Sequence, residues 1–358
     1  MENYFNIGEA SEILGVSQDT LRRWDNNGKF KSHRHPINNY RVYSDKQIRN
    51  LLQETQLECF YKPLSVIRQE TTPFFQSQLG ELYNCDAIGF LQNLESDSVD
   101  LIFADPPYNI KKAEWDHFNS QREYLDWTLE WVREAQRVLK KTGSLYICGF
   151  SEILADIKYV ASPFFKGCRW LVWYYRNKAN LGNDWGRSHE SIIHFRKSNE
   201  LIFNIDEVRI PYNEHTTKYP KRKQAETSQY SNGKNGKSYE WEPNPLGAKP
   251  KDVLEIPTIS NGAWEKYPHE TQKPIELLRK VILSSSLPGS CVLDPFGGSG
   301  TTYAVAEAYQ RKWIGIERDS NYCNIIKERL SDKSHIARIF SAKDEVDSQI
   351  RRQNLRSK

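Results

Sequence analysis

Residues 99–108 read VDLIFADPPY, and this stretch decides how the rest of the chain is interpreted. Residues 99–104 form an almost continuous apolar run, which predicts a buried strand of a parallel sheet. The two prolines that follow fix their own φ and keep the residue before them out of the helical region. We therefore expect a rigid turn that holds Asp105 and Tyr108 just beyond a strand end, where open α/β sheets bind ligands. A structural strand that ends in a capped turn would have the same sequence. The remaining motifs must therefore decide whether this turn binds a ligand.

The composition describes a polar protein without a membrane or secretory signal. Its 358 residues include 50 Lys and Arg against 46 Asp and Glu, a net charge of +4 that permits nucleic-acid binding without requiring it. No apolar run approaches the roughly 20 residues needed to cross a bilayer, and the first residues lack the apolar core of a secretory leader. The six cysteines are scattered without zinc or redox spacing, so we expect a cytoplasmic protein with no bound metal.

Residues 1–52 are predicted to form a separate domain. Two short amphipathic helices flank a Gly-Val-Ser turn at residues 15–17, the pattern of a helix-turn-helix. The second helix carries four side chains that can reach base edges or phosphates: Gln18, Thr20, Arg22 and Arg23. A short ribbon at residues 40–44 follows. The segment resembles the winged helix-turn-helix of MerR-type regulators, which implies that Arg41 and Tyr43 contact backbone phosphate. A small helical module that touches no DNA is the alternative.

Residues 53–75 are interpreted as a linker, residues 76–335 as a second and larger domain, and residues 336–358 as a polar tail. A long amphipathic helix is predicted over residues 124–141. Seven strands are predicted, at residues 79–86, 99–104, 144–148, 170–175, 191–195, 291–294 and 313–317. Because these strands alternate with helices, we expect an α/β fold with a parallel-rich sheet covered on both faces.

Residues 204–263 interrupt this alternation. The segment is polar, rich in Gly, Asn and Pro, and carries basic residues interleaved with aromatic ones. Its densest basic run is Lys221, Arg222 and Lys223. Since a long segment without periodicity is uncommon unless it functions, we expect a nucleic-acid surface that selects the target. A solvated insertion is the alternative.

A glycine-rich motif lies in the last third of the chain. Residues 291–302 read CVLDPFGGSGTT, which predicts a strand, a glycine loop and the start of a helix. Glycines let the backbone approach a ligand closely, and a helix N-terminus favours an anionic group. Glu317 ends the next predicted strand, where an acid can accept hydrogen bonds from both hydroxyls of a ribose. The loop lacks the lysine of the phosphate-binding loop that nucleoside triphosphatases carry, which argues against an NTPase.

Together, the DPPY turn, the basic segment and the FGGSG loop resemble the β-group of DNA amino-methyltransferases. The resemblance spans about residues 79 to 332, and the order of the motifs matches the circular permutation of that group. It implies a Rossmann-like, mostly parallel seven-stranded sheet and S-adenosylmethionine as the cofactor. Asn109 and the DEVRIPY run at residues 206–212 look closest to adenine-N6 modification methylases of type IIS restriction–modification systems. The partners implied are double-stranded DNA, a cognate restriction endonuclease encoded nearby and a second copy of the chain.

The resemblance assigns the chemistry to the DPPY turn. Asp105 and the carbonyl of Pro106 would accept hydrogen bonds from the target amino group, Pro107 completes the turn, and Tyr108 would stack on the target base. Two acceptors on the amino hydrogens favour a pyramidal nitrogen whose lone pair points at the methyl donor, so positioning and electrostatics suffice. The target atom is inaccessible inside a duplex, so the base must flip out.

The resemblance also assigns the cofactor site. The methionine end would be lined by residues of the glycine motif: Asp294, Phe296, Gly298, Ser299, Gly300 and Thr301. Thr271 and Lys273 would hold the cofactor's carboxylate, Glu317 its ribose and Asp86 its adenine.

Three other hypotheses stay open. Cytosine-N4 methylation uses the same fold and cofactor, but members of that class usually carry Ser at the position of Asp105, which favours adenine. A DNA-binding regulator with a vestigial methylase domain is disfavoured by the intact Asp105 and Glu317. RNA or protein methylases of the release-factor type usually begin the tetrapeptide with Asn and lack this permuted order.

Overall fold

The computed structural model describes most of both predicted domains. The described residues are 4–14, 18–26, 28–35, 38–48, 50–51, 71–110, 116–177, 183, 185–220, 222–223 and 240–341. The chain divides into two compact units, Met1–Ser65 and Val66–Lys358.

The first unit combines a three-stranded antiparallel sheet with two helices and further helical residues at 45–48 and 50–51. Its elements are β1 (Tyr4–Asn6), α1 (Ile7–Leu14), α2 (Gln18–Asn26), β2 (His33–Arg34) and β3 (Arg41–Ser44), with sheet order β1-β3-β2. Both predicted helices are present, and the turn between them lies outside the described residues. Aliphatic and aromatic side chains form the core: Ala10, Leu21, Phe30, Tyr43, Ile48 and Leu51. The amphipathic pattern thus buries one face of each helix against the ribbon.

The second unit is built on a mixed sheet with the strand order β12-β8-β9-β7-β6-β13-β14-β5-β4. Its strands are β4 (Phe75–Gln76), β5 (Gly80–Asn84), β6 (Val99–Ala104), β7 (Leu139–Gly149), β8 (Gly167–Tyr174), β9 (His189–Arg196), β12 (Val253–Glu255), β13 (Cys291–Asp294) and β14 (Lys312–Glu317). Strands β7, β6, β13, β14 and β5 run parallel, whereas β9 is antiparallel to both β7 and β8. The predicted α/β sheet is confirmed, and short β4 and β12 extend its seven central strands at the two edges.

Helices cover this sheet, as the alternating pattern predicts. They are α3 (Ala87–Asn93), α4 (Gln121–Val138), α5 (Ser151–Ala161), α6 (Glu214–Lys218), α7 (Ile275–Ser285), α8 (Thr301–Ala308) and α9 (Ser320–Ser331). The prediction of a helix through residue 141 is wrong. Leu139 caps α4 in an extended conformation and already pairs with Val99 of β6, so sheet pairing takes over from helix propensity there. Among the described helices, none combines the length and apolar character that crossing a membrane requires.

Strand β6 is buried along its whole length, as its apolar run predicts. The one polar side chain within it, Asp100, accepts hydrogen bonds from the backbone N–H of Cys291 at 2.8 Å and from Lys140 Nζ at 2.8 Å. This contact ties β6 to the start of β13, its parallel neighbour. Since parallel strands end at the same edge, Asp105 and Asp294 both lie at the carboxyl edge of the sheet.

The segment at residues 204–263 is more ordered than its composition indicates. Its described part contains α6, the two-stranded ribbon β10 (Arg222–Lys223) and β11 (Glu240–Trp241), and β12, which joins the main sheet beside β8. Asn204 anchors its start, because its backbone N–H donates to Ser284 and its side chain to Leu283 and Ser286. The expectation of a segment without regular structure is therefore wrong for these residues.

Candidate active site

Asp105 follows β6 directly, and three side chains meet around its carboxylate. The Tyr108 hydroxyl donates to Oδ1 at 2.6 Å, and the Lys273 ammonium donates to Oδ2 at 2.6 Å. Glu190, near the start of β9, lies 3.2 Å from the Tyr108 hydroxyl and 3.6 Å from Lys273 Nζ. Asp105, Tyr108, Glu190 and Lys273 are called the Asp105 cluster below. It holds one more carboxylate than ammonium groups.

Electrostatics fixes the protonation of the two donors in this cluster. Burial lowers the pKa of Lys273, but the charges of Asp105 and Glu190 outweigh burial and raise it well above the ordinary value. Burial raises the pKa of Tyr108, and the same two carboxylates raise it further. Both groups therefore keep their protons at neutral pH and remain hydrogen-bond donors.

The turn that carries Asp105 is held from two sides. The Tyr124 hydroxyl of α4 donates to the Pro107 carbonyl at 2.9 Å. Asn109 adopts a left-handed conformation with φ 57°, and its backbone N–H donates to buried Asp116 at 2.6 Å. Asn tolerates this backbone conformation better than most residues, which accounts for its place after the tetrapeptide. Within the described ranges no donor contacts the buried Pro106 carbonyl, so this acceptor is available to a substrate.

Helix α4 also contacts the glycine motif. Phe296 packs against Trp127 and Trp131 of α4, with ring centroids 5.8 Å and 5.3 Å apart. The same helix therefore positions both motifs, through Tyr124 on one and the two tryptophans on the other. The sequence pattern shows α4 only as an amphipathic helix, because nothing in it reveals which aromatic residue meets which loop.

The glycine loop between β13 and α8 needs glycine at two positions. Gly298 and Gly300 have φ values of 51° and 72°, in the left-handed region that other residues rarely adopt. A Cβ atom at Gly298 would lie 2.9 Å from His269 Nε2, and one at Gly300 would lie 2.9 Å from the Ile326 side chain. The Gly298 N–H donates to Glu317 Oε2 at 2.7 Å, which joins the loop to the end of β14.

One buried and one partly buried carboxyl group, those of Asp294 and Glu317, lie beside this loop. Asp294 accepts hydrogen bonds from the Thr302 hydroxyl at 2.5 Å and the Phe296 N–H at 3.0 Å. Burial raises the pKa of Asp294 to about 8; nearby Asp105 and Glu317 add to the rise, which the two hydrogen bonds reduce. Among the residues that the structure describes, no Lys or Arg forms an ion pair with Asp294. Burial also raises the pKa of Glu317, against hydrogen bonds from Asp319 and Gly298.

The remaining predicted cofactor residues lie around the loop. The Ser299 carbonyl and the Thr301 hydroxyl accept hydrogen bonds from the buried Arg329, at 3.0 Å and 2.9 Å. The Thr271 N–H donates to His269 Nδ1 at 3.2 Å, and His269 is the neighbour that excludes a side chain at Gly298. Asp86 is exposed at the start of α3, where its carboxylate accepts from the Gly89 N–H at 3.0 Å.

The structure gives Lys273 a partner that the resemblance did not assign to it. Its ammonium is bound to Asp105, and its side chain is only 6% exposed. In this structure Lys273 belongs to the Asp105 cluster, and its contact with the cofactor's carboxylate stays a prediction. Glu190 was missed altogether, because a single acid at the start of a strand carries no sequence signal that links it to a turn more than 80 residues earlier.

The structure contradicts one DNA contact predicted for the first unit, that of Tyr43, and gives another predicted contact, Arg41, a partner within the protein. Tyr43 is fully buried and stacks on Phe30 with ring centroids 5.1 Å apart, so it cannot reach a phosphate. The Arg41 guanidinium is bound to Asp25 at 2.7 Å. Burial raises the pKa of Asp25, but hydrogen bonds from Ser32 and Arg41 lower it to about 2, so the pair is ionised at neutral pH.

Of the other predicted DNA contacts, some are exposed and the rest have side chains outside the described part of the chain. Gln18, Arg22 and Arg23 are exposed on α2, and Arg22 donates to Gln18 at 3.3 Å. The Thr20 side chain and Lys221 lie outside the described residues. Arg222 and Lys223 form β10, and their side chains are likewise outside the described part.

Comparison with known families identifies the class. A model of the DNA methylase family matches residues 99–328, and a model of MerR family regulatory proteins matches residues 6–43. The first match spans more than half of the chain. The chain therefore belongs to the DNA methylase family, with a MerR-like segment at its N-terminus.

Individual relatives agree with this class. The chain is 35% identical over 254 residues to the type II methyltransferase M1.MboII of Moraxella bovis, covering 69% of this chain and 95% of that one. It is 34% identical over 265 residues to the DNA adenine methyltransferase YhdJ of Escherichia coli strain K12, covering 73% and 86%. The structure of the PvuII DNA methyltransferase, which is cytosine-N4-specific, matches with a TM-score of 0.55 at 20% identity, covering 77% and 96%.

Proposed function

We propose that this protein transfers the methyl group of S-adenosylmethionine to the exocyclic N6 of a flipped-out adenine at a specific site in duplex DNA. The observation that carries the proposal is the Asp105 cluster. It presents a carboxylate, held by Lys273 and Tyr108, beside the unpartnered carbonyl of Pro106 at the carboxyl edge of the sheet. A pair of acceptors suits an amino group, which has two hydrogens to donate.

The glycine motif supports the cofactor assignment. S-adenosylmethionine carries a sulfonium, an ammonium and a ribose with two hydroxyls, and it supplies the electrophilic methyl group. Each Glu317 oxygen accepts one backbone N–H, at 2.7 Å and 2.8 Å, and retains a lone pair for a hydroxyl. Asp294 has no cation of its own and suits a cationic ligand. The left-handed glycines bring the loop backbone close to the same space.

The side chains of the Asp105 cluster have separable tasks. Each Asp105 oxygen accepts one hydrogen bond from the protein and retains a lone pair, so a target amino group can donate without displacing Lys273 or Tyr108. Lys273 fixes the direction of the carboxylate. Acceptance by Asp105 and Pro106 orients the nitrogen lone pair toward the methyl group, and no covalent enzyme intermediate is required.

The rest of the chain fits recognition of DNA. Residues 76–335 would form the catalytic domain, residues 204–263 its target-recognition segment, and residues 1–52 a helix-turn-helix with Gln18, Arg22 and Arg23 exposed. Residues 53–75 would be the linker and residues 336–358 a tail. Lys221, Arg222 and Lys223 stay proposed DNA contacts.

The cellular role follows from the relatives. The type II methyltransferase M1.MboII is named for a restriction–modification activity, and we assign the same role to this chain. We extend the proposal to a cognate endonuclease encoded nearby, to a homodimer and to action on DNA in the cytoplasm.

Nucleoside mass spectrometry tests the choice of base. DNA is incubated with the protein and isotopically labelled S-adenosylmethionine, digested to nucleosides and analysed. We expect label in N6-methyl-2′-deoxyadenosine, because Asp rather than Ser precedes the two prolines. Label in N4-methyl-2′-deoxycytidine would instead favour cytosine-N4 methylation, which is the specificity of the PvuII enzyme with the similar fold. Absence of label from any nucleoside, with the cofactor bound, would indicate the vestigial-domain hypothesis.

A further inference from the structure

The second unit contains a cavity of about 550 Å³, and none of the residues assigned to the active site lines it. Its wall is formed by β7, β8 and β9, by α7, and by residues 201–208 and 249–254. Arg196, which lines it, ends β9, whereas Glu190 of the Asp105 cluster lies near the start of that strand. Six residues of extended chain separate these positions by about 20 Å. The volume is in the range of small-molecule sites.

Most of the wall is apolar, and part of it is aromatic. The rings of Tyr146 and His194 are stacked, with centroids 4.2 Å and planes 6° apart. Hydrogen bonds to Ser285 at 2.7 Å and Ser144 at 2.9 Å hold the two rings in place. Burial lowers the pKa of His194 to about 3, with contributions from Arg196 and Arg169. The part of the wall that the two stacked rings form is therefore uncharged at neutral pH. It would favour an apolar or aromatic body.

The charged residues around the cavity are almost all cations. They are Arg169, Arg196, Lys249, Lys251 and Lys280, against the single carboxylate of Asp252. Lys280 is paired with Glu276 at 3.2 Å. Within the described part of the chain, the other four cations have no carboxylate within ion-pair distance. This excess of positive charge favours an anionic ligand.

Arg196 points to the same conclusion independently. Its Nε atom is buried and has no hydrogen-bond partner. Buried donors without an acceptor are rare in native proteins, and each calls for an explanation. The guanidinium also lies against Gly167, where a Cβ atom would come within 2.7 Å of Nη2. Glycine at that position leaves the room that the guanidinium occupies beside the cavity.

We propose that this cavity binds an aromatic anion about the size of a nucleoside monophosphate. Its ring would lie among Leu171, Phe203 and Val281, and its anionic group would meet Arg196 and Arg169. The anion could be the phosphate of a nucleotide or the acid group of another aromatic compound. Both share a flat apolar body joined to a negative group, which is the chemistry that the wall and the cations recognise.

Calorimetric titration of the full-length protein tests this proposal. The ligands are guanosine monophosphate, 8-anilinonaphthalene-1-sulfonate, guanosine and inorganic phosphate, each with S-adenosylmethionine at saturation so that the cofactor site is filled. We expect at least one of the two aromatic anions to bind one site per chain, at least about tenfold more tightly than guanosine or phosphate. Binding by guanosine monophosphate identifies a nucleotide, and binding by the sulfonate alone identifies another aromatic acid. Equal affinity for phosphate, or no binding by either anion, would overturn the proposal.

Three variants locate the binding. R196M and R169M each remove one cation from the cavity, and R122M removes an exposed cation of α4 that pairs with Asp126 at 2.9 Å. We expect R196M and R169M to weaken anion binding about tenfold or more and R122M to leave it unchanged. Methyl transfer should persist in all three, which reports folding. Because Arg169 is exposed, R169M stays informative if R196M unfolds. Unchanged binding in R169M, or a loss only of duplex DNA affinity, would contradict the proposal.

Discussion

Asp105 and Asp294 lie at the carboxyl ends of neighbouring parallel strands, yet their surroundings differ. Asp105 is bound by the ammonium of Lys273 and the hydroxyl of Tyr108. Among the described residues, only a neutral hydroxyl and a backbone N–H donate to the Asp294 carboxyl, and its burial raises its pKa to about 8. One carboxylate therefore has its cation built into the protein and can accept from a neutral amino group. Among the described residues Asp294 has no such cation, and we infer that the cationic cofactor supplies one.

The largest effect is expected from removing the paired carboxylate. D105A should lower methyl transfer about 1,000-fold, because a preorganised acceptor at the reacting nitrogen is lost. Turnover is measured at saturating DNA and cofactor with labelled S-adenosylmethionine. A turnover within a few-fold of the wild-type value would remove Asp105 from the chemistry.

Removing the built-in cation should have the next largest effect. K273M leaves two partly buried carboxylates, 17% and 18% exposed, without their ammonium, which should cost less stability than the about 3–5 kcal/mol lost when a fully buried pair is broken. We expect about a 100-fold lower turnover with little change in cofactor affinity. K273R, which keeps the charge, is the matched control and should retain more activity. A selective loss of cofactor affinity would instead restore the original assignment of Lys273 to the cofactor's carboxylate.

The unpaired carboxyl group predicts a pH-dependent affinity for the cofactor. Asp294 has a pKa of about 8 in the free protein, where burial favours the neutral form. A cationic ligand lowers that pKa, so binding releases a proton and the affinity rises with pH, by at most about tenfold per unit, until about pH 8. Calorimetry in buffers of different ionisation enthalpy measures the released proton. D294N should abolish the dependence, whereas D126N, at an exposed site on α4, should preserve it.

We expect replacement of Glu190 to lower turnover less than replacement of Lys273. The Glu190 carboxylate lies 3.6 Å from Lys273 Nζ, farther than that of Asp105 at 2.6 Å. E190Q keeps the shape of the side chain and its contact with the Tyr108 hydroxyl, at 3.2 Å in the wild type. We expect about a tenfold lower turnover, together with a changed pH profile of turnover, since one charge near Lys273 is lost. A pH profile identical to that of the wild type would reduce Glu190 to packing.

The smallest effect concerns the first unit, where two arginines have different surroundings. Arg23 is exposed on α2, whereas Arg41 is bound to Asp25. R23A should weaken DNA binding a few-fold and reduce the salt dependence by about one ion, as removal of a phosphate contact does. R41A should instead lower the thermal stability of this unit. Equal losses of DNA affinity in both variants would show that Arg41 leaves Asp25 to bind DNA.

Sequence patterns predicted the parts that depend on periodicity and local backbone chemistry. The apolar run of β6, the prolines after Asp105 and the glycines at 298 and 300 each impose a conformation on their own segment. The pairing of Lys273 with Asp105, the burial of Tyr43 and the position of Glu190 depend on contacts between distant segments. A single sequence carries no record of those contacts, so a cation assigned to a cofactor by its motif could lie on a catalytic carboxylate instead.

The most direct test compares cofactor binding by D105A and D294N in parallel calorimetric titrations at pH 8. If the two carboxylates divide the work, D105A binds S-adenosylmethionine with nearly wild-type affinity while its methyl transfer is lost. D294N then binds the cofactor at least about tenfold more weakly and regains turnover when the cofactor is raised to saturation. A D105A protein that has lost the cofactor, or a D294N protein with wild-type affinity, would contradict the account.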